Sequence, residues 1–173
     1  MGTSTTDIAR DLGTVEGGFY QVAAVCYRQS DAGLEFLLVN TRNGRWTFPK
    51  GNTIPGLREN RAAQQEAFEE AGAYGQIDDS YFALYLYNSG GEEYPIKAFL
   101  MEVDGTRVPG ELFRTPMWCT PRQAKKRLSL SRSRKYSNEF CRIVDHAAEA
   151  ISKRRTMRPP STTSFSEQTP AVF

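Results

Sequence analysis

Three glutamates stand at a spacing that places their carboxylates together. Glu66, Glu69 and Glu70 lie at positions i, i+3 and i+4, and on an α-helix these positions share one face. Like charges so placed repel by about 0.2–0.5 kcal/mol per pair. A hard divalent cation reverses that sign, since Mg²⁺ takes carboxylate oxygens together with phosphate oxygens of a substrate. The spacing is therefore that of a magnesium-type site or of a solvated helix face.

The residues around the glutamates favour the metal site. Arg58 to Ala71 contains no glycine or proline and is rich in alanine and glutamate, which predicts a helix, and Gly72 supplies its end. The face opposite the glutamates carries small or apolar residues, which predicts close packing on a sheet. A loop from Pro49 to Gly56 precedes the helix, and its glycines let backbone groups approach a metal or an anion. The apolar residues are Ala63, Ala67, Phe68 and Ala71.

The whole segment resembles the Nudix box of the Nudix hydrolase superfamily, G-x5-E-x7-R-E-U-x-E-E-x-G-U with U apolar. Two positions depart, because Leu57 stands at the first glutamate of the motif and Gln65 at its arginine. In the family these two tend to pair and brace the helix, so their joint loss leaves no stranded charge. The positions that match are Gly51, Glu66, Ala67, Glu69, Glu70, Gly72 and Ala73.

The resemblance implies an α/β fold, a Nudix-type α/β/α sandwich with a mixed sheet, that cleaves a diphosphate linkage with Mg²⁺ or Mn²⁺. The metal would polarise phosphoryl oxygens and lower the pKa of a bound water. Glu66 or Glu69 would also take the proton of that water. A further acidic ligand often lies outside the box, with Glu111 the first candidate and Glu93 the second. The implied metal ligands are Gly51 through its carbonyl, Glu66, Glu69, Glu70 and Glu111.

A finer resemblance concerns the substrate. The stretch from Arg45 to Gly51, R-W-T-F-P-K-G, is similar to the R-W-x-x-P-[KG]-G of the diphosphoinositol polyphosphate phosphohydrolase-like branch, and diadenosine polyphosphate hydrolases share its P-K-G. Arg42, Arg45 and Lys50 are the predicted substrate contacts, because cations bind phosphate oxygens. Arg58 and Arg61 are weaker candidates. The expected substrate is an inositol pyrophosphate or a dinucleoside polyphosphate.

Two other functions stay open from the sequence. One is hydrolysis of a different nucleoside diphosphate derivative. The other is a Nudix-fold binding or sensor module without turnover, which the altered residues Leu57 and Gln65 motivate.

The elements that must position these residues follow from apolar patterning. Strands on both sides of one central helix predict a mixed sheet with helices on its faces. Two more helices are expected near the carboxyl end. The predicted strands are Phe19–Tyr27, Leu34–Asn40, Trp46–Phe48, Ser80–Asn88 and Tyr94–Val103, with helices Pro121–Leu128 and Ser133–Arg154.

Length and composition predict one domain. The chain has 173 residues and a net charge of +2. We expect a flexible segment 1–18, one domain at 19–154 and a disordered tail 155–173 that is dispensable for folding. Cys26, Cys119 and Cys141 are too scattered for a disulfide framework or zinc site. The single histidine, His146, is expected on a helix surface without a catalytic task.

Charge and hydropathy limit the partners. No apolar run approaches the roughly 20 residues of a membrane span, and the first residues lack an apolar signal stretch, so we expect a cytoplasmic protein without a membrane partner. A basic run from Lys125 to Lys135 is interpreted as a solvated surface, with an extended polyphosphate pocket as the alternative. We expect no nucleic-acid partner, because no aromatic residues are interleaved with these cations. The oligomeric state is left open.

Overall fold

The computed structural model of the chain describes residues 20–157. The predictions for segment 1–18 and for nearly all of the tail lie outside the described residues. Eight strands, three α-helices and a short 3₁₀ helix, Leu112–Arg114, are the regular elements of the described part. Their bounds are β1 Gln21–Ser30, β2 Gly33–Asn40, β3 Trp46–Thr47, β4 Lys50–Asn52, α1 Glu59–Ala71, β5 Ala73–Ile77, β6 Ala83–Ser89, β7 Glu92–Thr106, β8 Met117–Cys119, α2 Pro121–Ser129 and α3 Arg134–Met157.

The strands form one mixed sheet, as the resemblance implied. Strands β1 and β7 run parallel at its centre, with Gln21–Tyr27 beside Ile96–Glu102. Strand β2 pairs antiparallel with β1, and β5 and β6 pair antiparallel with β7. The short strands β3 and β8 both pair antiparallel with β2, and β4 pairs with the beginning of β1. The central parallel pair brings two buried strands from distant parts of the chain side by side.

Helices cover both faces of the sheet, which confirms the α/β/α sandwich. Alternate residues of β1 point to opposite faces, so Val22 packs in the core under α1 and Ala23 in the core under α2 and α3. Helix α1 approaches closely because its buried positions are mostly alanines. The other core is larger and includes Phe140 and Tyr85, both fully buried. The alanines that α1 buries are Ala62, Ala63, Ala67 and Ala71.

Three local predictions were wrong. The segment Pro49–Gly56 is not all loop, because Lys50–Asn52 pairs with Gln21–Ala23 as strand β4. The strand predicted over Tyr94–Val103 is longer, Glu92–Thr106, and its hairpin with β6 closes through Gly90 and Gly91, both with positive φ. Phe68 was placed with the packed alanines, but it is 48% exposed.

The end of α1 is tied to the segment that follows β7. Gly72 ends the helix in the left-handed conformation with φ of 66°, and a Cβ there would lie 1.9 Å from the Arg107 carbonyl oxygen. The N–H of Arg107 donates to the Gly72 carbonyl at 2.8 Å, and the N–H of Gly110 donates to the Glu69 carbonyl at 3.0 Å. These bonds bring the segment 107–114 against the glutamate end of the helix.

Within residues 20–157, no helix has both the length and the apolar character needed to span a membrane.

Candidate active site

Strand β4 presents Gly51 to the carboxylate of Glu66. A Cβ built on Gly51 would lie 1.9 Å from Oε1 and 2.2 Å from Cδ of Glu66. Any larger residue would therefore push this carboxylate away from the strand. Gly51 and Glu66 were predicted to act together, and the structure places them in direct contact.

Glu70 lies beside them but is held by a different set of groups. It is 4% exposed and accepts a hydrogen bond from the backbone N–H of Lys50 at 3.2 Å. Its Oε1 lies 2.5 Å from a terminal nitrogen of Arg114. Burial raises the pKa of Glu70 to about 7, although the Arg114 charge and the Lys50 N–H both act to lower it. A buried carboxylate of this kind depends on its partners.

Arg114 joins two predicted metal ligands. Its Nε donates to Oε2 of Glu111 at 2.5 Å, and its Nη1 donates to the backbone carbonyl of Asn40 at 3.2 Å. Together with the Glu70 contact, these bonds satisfy most of a guanidinium whose side chain is 17% exposed. Sequence reasoning did not identify Arg114. The available signal was the i, i+3 spacing from Glu111, a common distance for an ion pair on one helical turn.

The two positions that depart from the Nudix box do not form a pair here. Gln65 donates from Nε2 to Oε1 of Glu69 at 2.8 Å, and Leu57 is 38% exposed. The arginine that forms ion pairs with the glutamate cluster is therefore Arg114, in the segment after β7. Helix α1 contributes no arginine to these ion pairs.

The negative charges of Glu69 and Glu111 act on the carboxylate of Glu66. Burial is the main cause that raises the pKa of Glu66, and the negative charges of Glu69 and Glu111 raise it further. Glu93, the second candidate for the outer ligand, lies elsewhere. It accepts hydrogen bonds from Lys135 and Tyr136, each at 2.5 Å. Of the two acidic candidates outside the box, the structure brings Glu111 to the cluster and leaves Glu93 at the β6–β7 hairpin.

The chemistry of this cluster fits a hard divalent cation. Carboxylate oxygens and a backbone carbonyl are the ligands that Mg²⁺ and Mn²⁺ prefer, and the open Cα of Gly51 lets Glu66 reach the strand. No three acidic, histidine or cysteine side chains of residues 20–157 already converge on one metal position. Glu70 and Glu111 are instead drawn to Arg114. The five ligand assignments remain predictions, and Glu70 and Glu111 would have to reorient.

Two of the predicted substrate cations border the cluster. Lys50 places its ammonium 4.2 Å from the centre of the Tyr87 ring and donates to Oε1 of Gln21 at 3.0 Å. Burial lowers the pKa of Lys50 to about 8. Arg42 is exposed, with its guanidinium 4.3 Å from the centre of the Phe113 ring, and the guanidinium of Arg114 lies 4.8 Å from the same ring. Phe113 thus lies between Arg42 and Arg114, which binds Glu70 and Glu111.

The other basic candidates lie apart from Arg42. Arg45 lines a separate pocket with Arg132. Arg58 forms an exposed salt bridge with Asp79 at 3.7 Å, and Arg61 donates to Gln64 at 2.8 Å. Arg58 and Arg61 are therefore occupied at the beginning of α1, away from its glutamate end.

The architecture and this cluster define a class of α/β/α sandwich in which an acidic helix packs on a mixed sheet beside a glycine strand. Comparison with known sequences agrees, because the sequence model described as the NUDIX domain matches residues 19–140. The chain belongs to the Nudix family. It is accordingly a diphosphohydrolase, an enzyme that acts on phosphoric anhydrides.

Solved structures show the same fold at low sequence identity. A C. elegans Ap4A hydrolase, in a binary complex, is 23% identical with a TM-score of 0.63, over 79% of this chain and 99% of that one. The NUDIX domain of Shewanella oneidensis NrtR, complexed with ADP ribose, is 13% identical with a TM-score of 0.60, over 86% and 99%. A Bacillus subtilis pyrophosphohydrolase is 16% identical with a TM-score of 0.56, over 82% and 86%.

Proposed function

We propose that this protein hydrolyses a phosphoanhydride linkage in a highly phosphorylated small molecule, with Mg²⁺ or Mn²⁺ as the cofactor. The observation that supports this most is the contact between Gly51 and the Glu66 carboxylate, beside Glu69 and Glu111. Arg42 and Lys50 border this cluster, and neither has a carboxylate partner among residues 20–157. The preferred substrates are an inositol pyrophosphate or a dinucleoside polyphosphate. The similarity to a C. elegans Ap4A hydrolase supports the second of these.

The residues of the cluster have separate roles in the proposed reaction. Gly51 through its carbonyl, with Glu66, Glu69, Glu70 and Glu111, would hold the cation, which supplies charge stabilisation of the phosphoryl oxygens and a more acidic water. Glu66 or Glu69 accepts the proton of the attacking water, since both carboxylates lie on the same face of α1. Arg114 orients Glu70 and Glu111 through its two ion pairs.

The cations bordering the cluster are the reason for favouring polyphosphates. Among residues 20–157, neither Arg42 nor Lys50 forms a salt bridge with a carboxylate. Both are positioned by aromatic rings, which leaves their charge for an incoming anion. A substrate with several phosphates can use both cations in addition to the metal site, whereas a single diphosphate cannot.

A substrate panel tests the proposal directly. We expect phosphate release from an inositol pyrophosphate or a diadenosine polyphosphate with Mg²⁺ or Mn²⁺, and loss of turnover when a chelator removes the metal. Turnover of ADP-ribose should be slower. Rapid turnover of ADP-ribose alone would reject the polyphosphate assignment, and binding without turnover of any compound would favour the sensor module.

Arg42→Ala is expected to raise KM about tenfold or more for a polyphosphate substrate and only slightly for ADP-ribose. A charge-assisted contact to phosphate nets roughly 1.5–3 kcal/mol when well formed, and about 1.4 kcal/mol corresponds to a tenfold change. Because Arg42 is exposed, added salt should reduce the difference.

Arg122→Ala is the matched control for Arg42→Ala. Arg122 is also exposed, but it lies on α2, away from the glutamates. KM should then match that of the wild type for every substrate. Equal increases in KM for all substrates with Arg42→Ala would show that Arg42 does not select for polyphosphates.

A further inference from the structure

A small polar pocket lies between the β6–β7 hairpin and the beginning of α3. Its volume is about 180 Å³. Two arginines, two tyrosines, two serines and an asparagine line it, with no acidic side chain among them. These residues are Arg45, Tyr87, Asn88, Ser131, Arg132, Ser133 and Tyr136.

Arg132 is fixed in this pocket by the backbone of other elements. Its guanidinium donates to the carbonyls of Leu128 and Trp46, each at 2.6 Å, and stacks 4.5 Å from the centre of the Phe140 ring. The sequence interpretation placed Arg132 on a solvated basic surface. In the structure it is partly buried and its orientation is set by three elements.

The two arginines of this pocket have no salt-bridge partner within the described part of the chain. Glu93 accepts a hydrogen bond from the wall residue Tyr136, but its ion pair is with Lys135. Among residues 20–157, no carboxylate forms a salt bridge with Arg132 or Arg45. Burial lowers the pKa of Arg132, and the nearby charge of Arg45 acts in the same direction. Keeping two like charges close together costs free energy that an anion would recover.

The pocket continues the basic side of the active site. Tyr87 forms one of its walls, and the Lys50 ammonium lies 4.2 Å from the centre of the Tyr87 ring. The backbone N–H of Lys50 meets Glu70 at 3.2 Å. Lys50 therefore lies between the glutamate cluster and the pocket, and a chain of phosphates leaving the glutamates would pass it first.

We propose that Arg132 and Arg45 form a second anion site, which holds a phosphate group of the substrate remote from the linkage that is cleaved. The inference rests on the proposed function for the identity of the substrate. It adds Arg132 and its pocket to the residues that select polyphosphates, and it gives Arg45 a role separate from that of Arg42.

The size and lining of the pocket favour a phosphate over a nucleobase. Pockets that enclose drug-sized ligands measure about 300–1,000 Å³, and this one is smaller, about 180 Å³. Arginine forks match the oxygens of a phosphate bidentately, and serine hydroxyls can add hydrogen bonds. Tyr87 and Tyr136 could instead stack on a base, so the test must separate these two ligands.

The test measures binding of myo-inositol hexakisphosphate, which carries many phosphates and no anhydride, by calorimetry on the full chain without metal. Arg132→Gln and Arg45→Gln should each weaken binding at least about fivefold to tenfold, with a shallower dependence on salt. Arg132→Lys should recover part of the affinity, because it keeps the charge and loses the fork. Arg122→Gln, an exposed change of equal charge on α2, should bind as the wild type does.

Thermal melting of each variant identifies any loss of affinity that comes from unfolding, and Arg45→Gln removes neither backbone contact of Arg132. Wild-type affinity in both Arg45→Gln and a folded Arg132→Gln would overturn the proposal. Adenosine binding that depends on Tyr136 and not on the arginines would assign the pocket to a base and overturn it too. Hexakisphosphate binding that needs Arg132 in a protein without turnover would leave this site standing and reject the hydrolase.

Discussion

Glu69→Gln is expected to lower turnover of the best diphosphate substrate at least about a hundredfold, the scale of losing a main catalytic group. The change removes a negative charge from the cluster that faces the proposed cation, while it keeps the length and shape of the side chain. Glu69 is exposed, and its carboxylate accepts a hydrogen bond from Gln65 at 2.8 Å. The glutamine amide oxygen can accept the same bond, so the melting temperature should change little. Steady-state kinetics with saturating Mg²⁺ and a calorimetric titration with Mn²⁺ measure the two effects.

Glu149→Gln is the control for this experiment. Glu149 is an exposed glutamate on α3 whose carboxylate has a partner on the same helix, Lys153, at 2.8 Å. The chemical change is identical, but Glu149 lies on the helix of the other face of the sheet. The turnover and the Mn²⁺ affinity of the Glu149→Gln variant should equal those of the wild type. If Glu69→Gln also retained wild-type turnover, the reaction would have to occur elsewhere on the protein.

Local sequence was sufficient to predict the helix that carries the three glutamates and the residue at which it ends. The spacing of Glu66, Glu69 and Glu70 fixed a shared helix face, and Gly72 fixed the end of the helix. Both features depend on residues within one or two helical turns, where backbone geometry decides the outcome. The contact between Gly51 and Glu66 came from a family resemblance, because strand β4 is only three residues long and rich in loop formers.

The parts that the sequence could not predict depend on contacts between distant segments. Arg114 reaches Glu70 across 44 positions because the segment after β7 is hydrogen-bonded to the end of α1. Arg132 reaches the Trp46 carbonyl across 86 positions. A charged residue in a basic run looks the same in sequence whether its guanidinium faces water or a backbone carbonyl. Only the packing of α3 against the sheet separates Arg132 from its neighbours in that run.

At about pH 9, Arg114→Met is expected to lower the free energy of unfolding by about 3 kcal/mol, because Glu70, whose pKa is about 7 beside Arg114, is then ionised and loses the partner of its buried charge. At about pH 6 the loss should be much smaller, since Glu70 is already mostly protonated there. The side chain of Glu70 is 5% exposed and that of Arg114 17%, so water cannot replace the lost contact. Methionine keeps much of the apolar stem of arginine, which limits the loss of packing. The melting temperature should fall by about 10 °C. Chemical denaturation in the presence of a chelator is the appropriate measurement, since a bound cation could neutralise Glu70 in place of Arg114.

A double-mutant cycle separates the ion pair from general damage. Glu70→Gln alone should cost less than Arg114→Met, because Arg114 keeps its contacts with Glu111 and the Asn40 carbonyl. In the double variant Arg114→Met/Glu70→Gln no charge is stranded at position 70, so much of the lost stability should return as a coupling energy. Arg58→Met breaks the exposed pair with Asp79, whose side chains are 68% and 84% exposed, and should change stability by less than about 1 kcal/mol. A double variant as unstable as the sum of both single variants would show that Arg114 stabilises the fold through packing, with no dependence on the charge of Glu70.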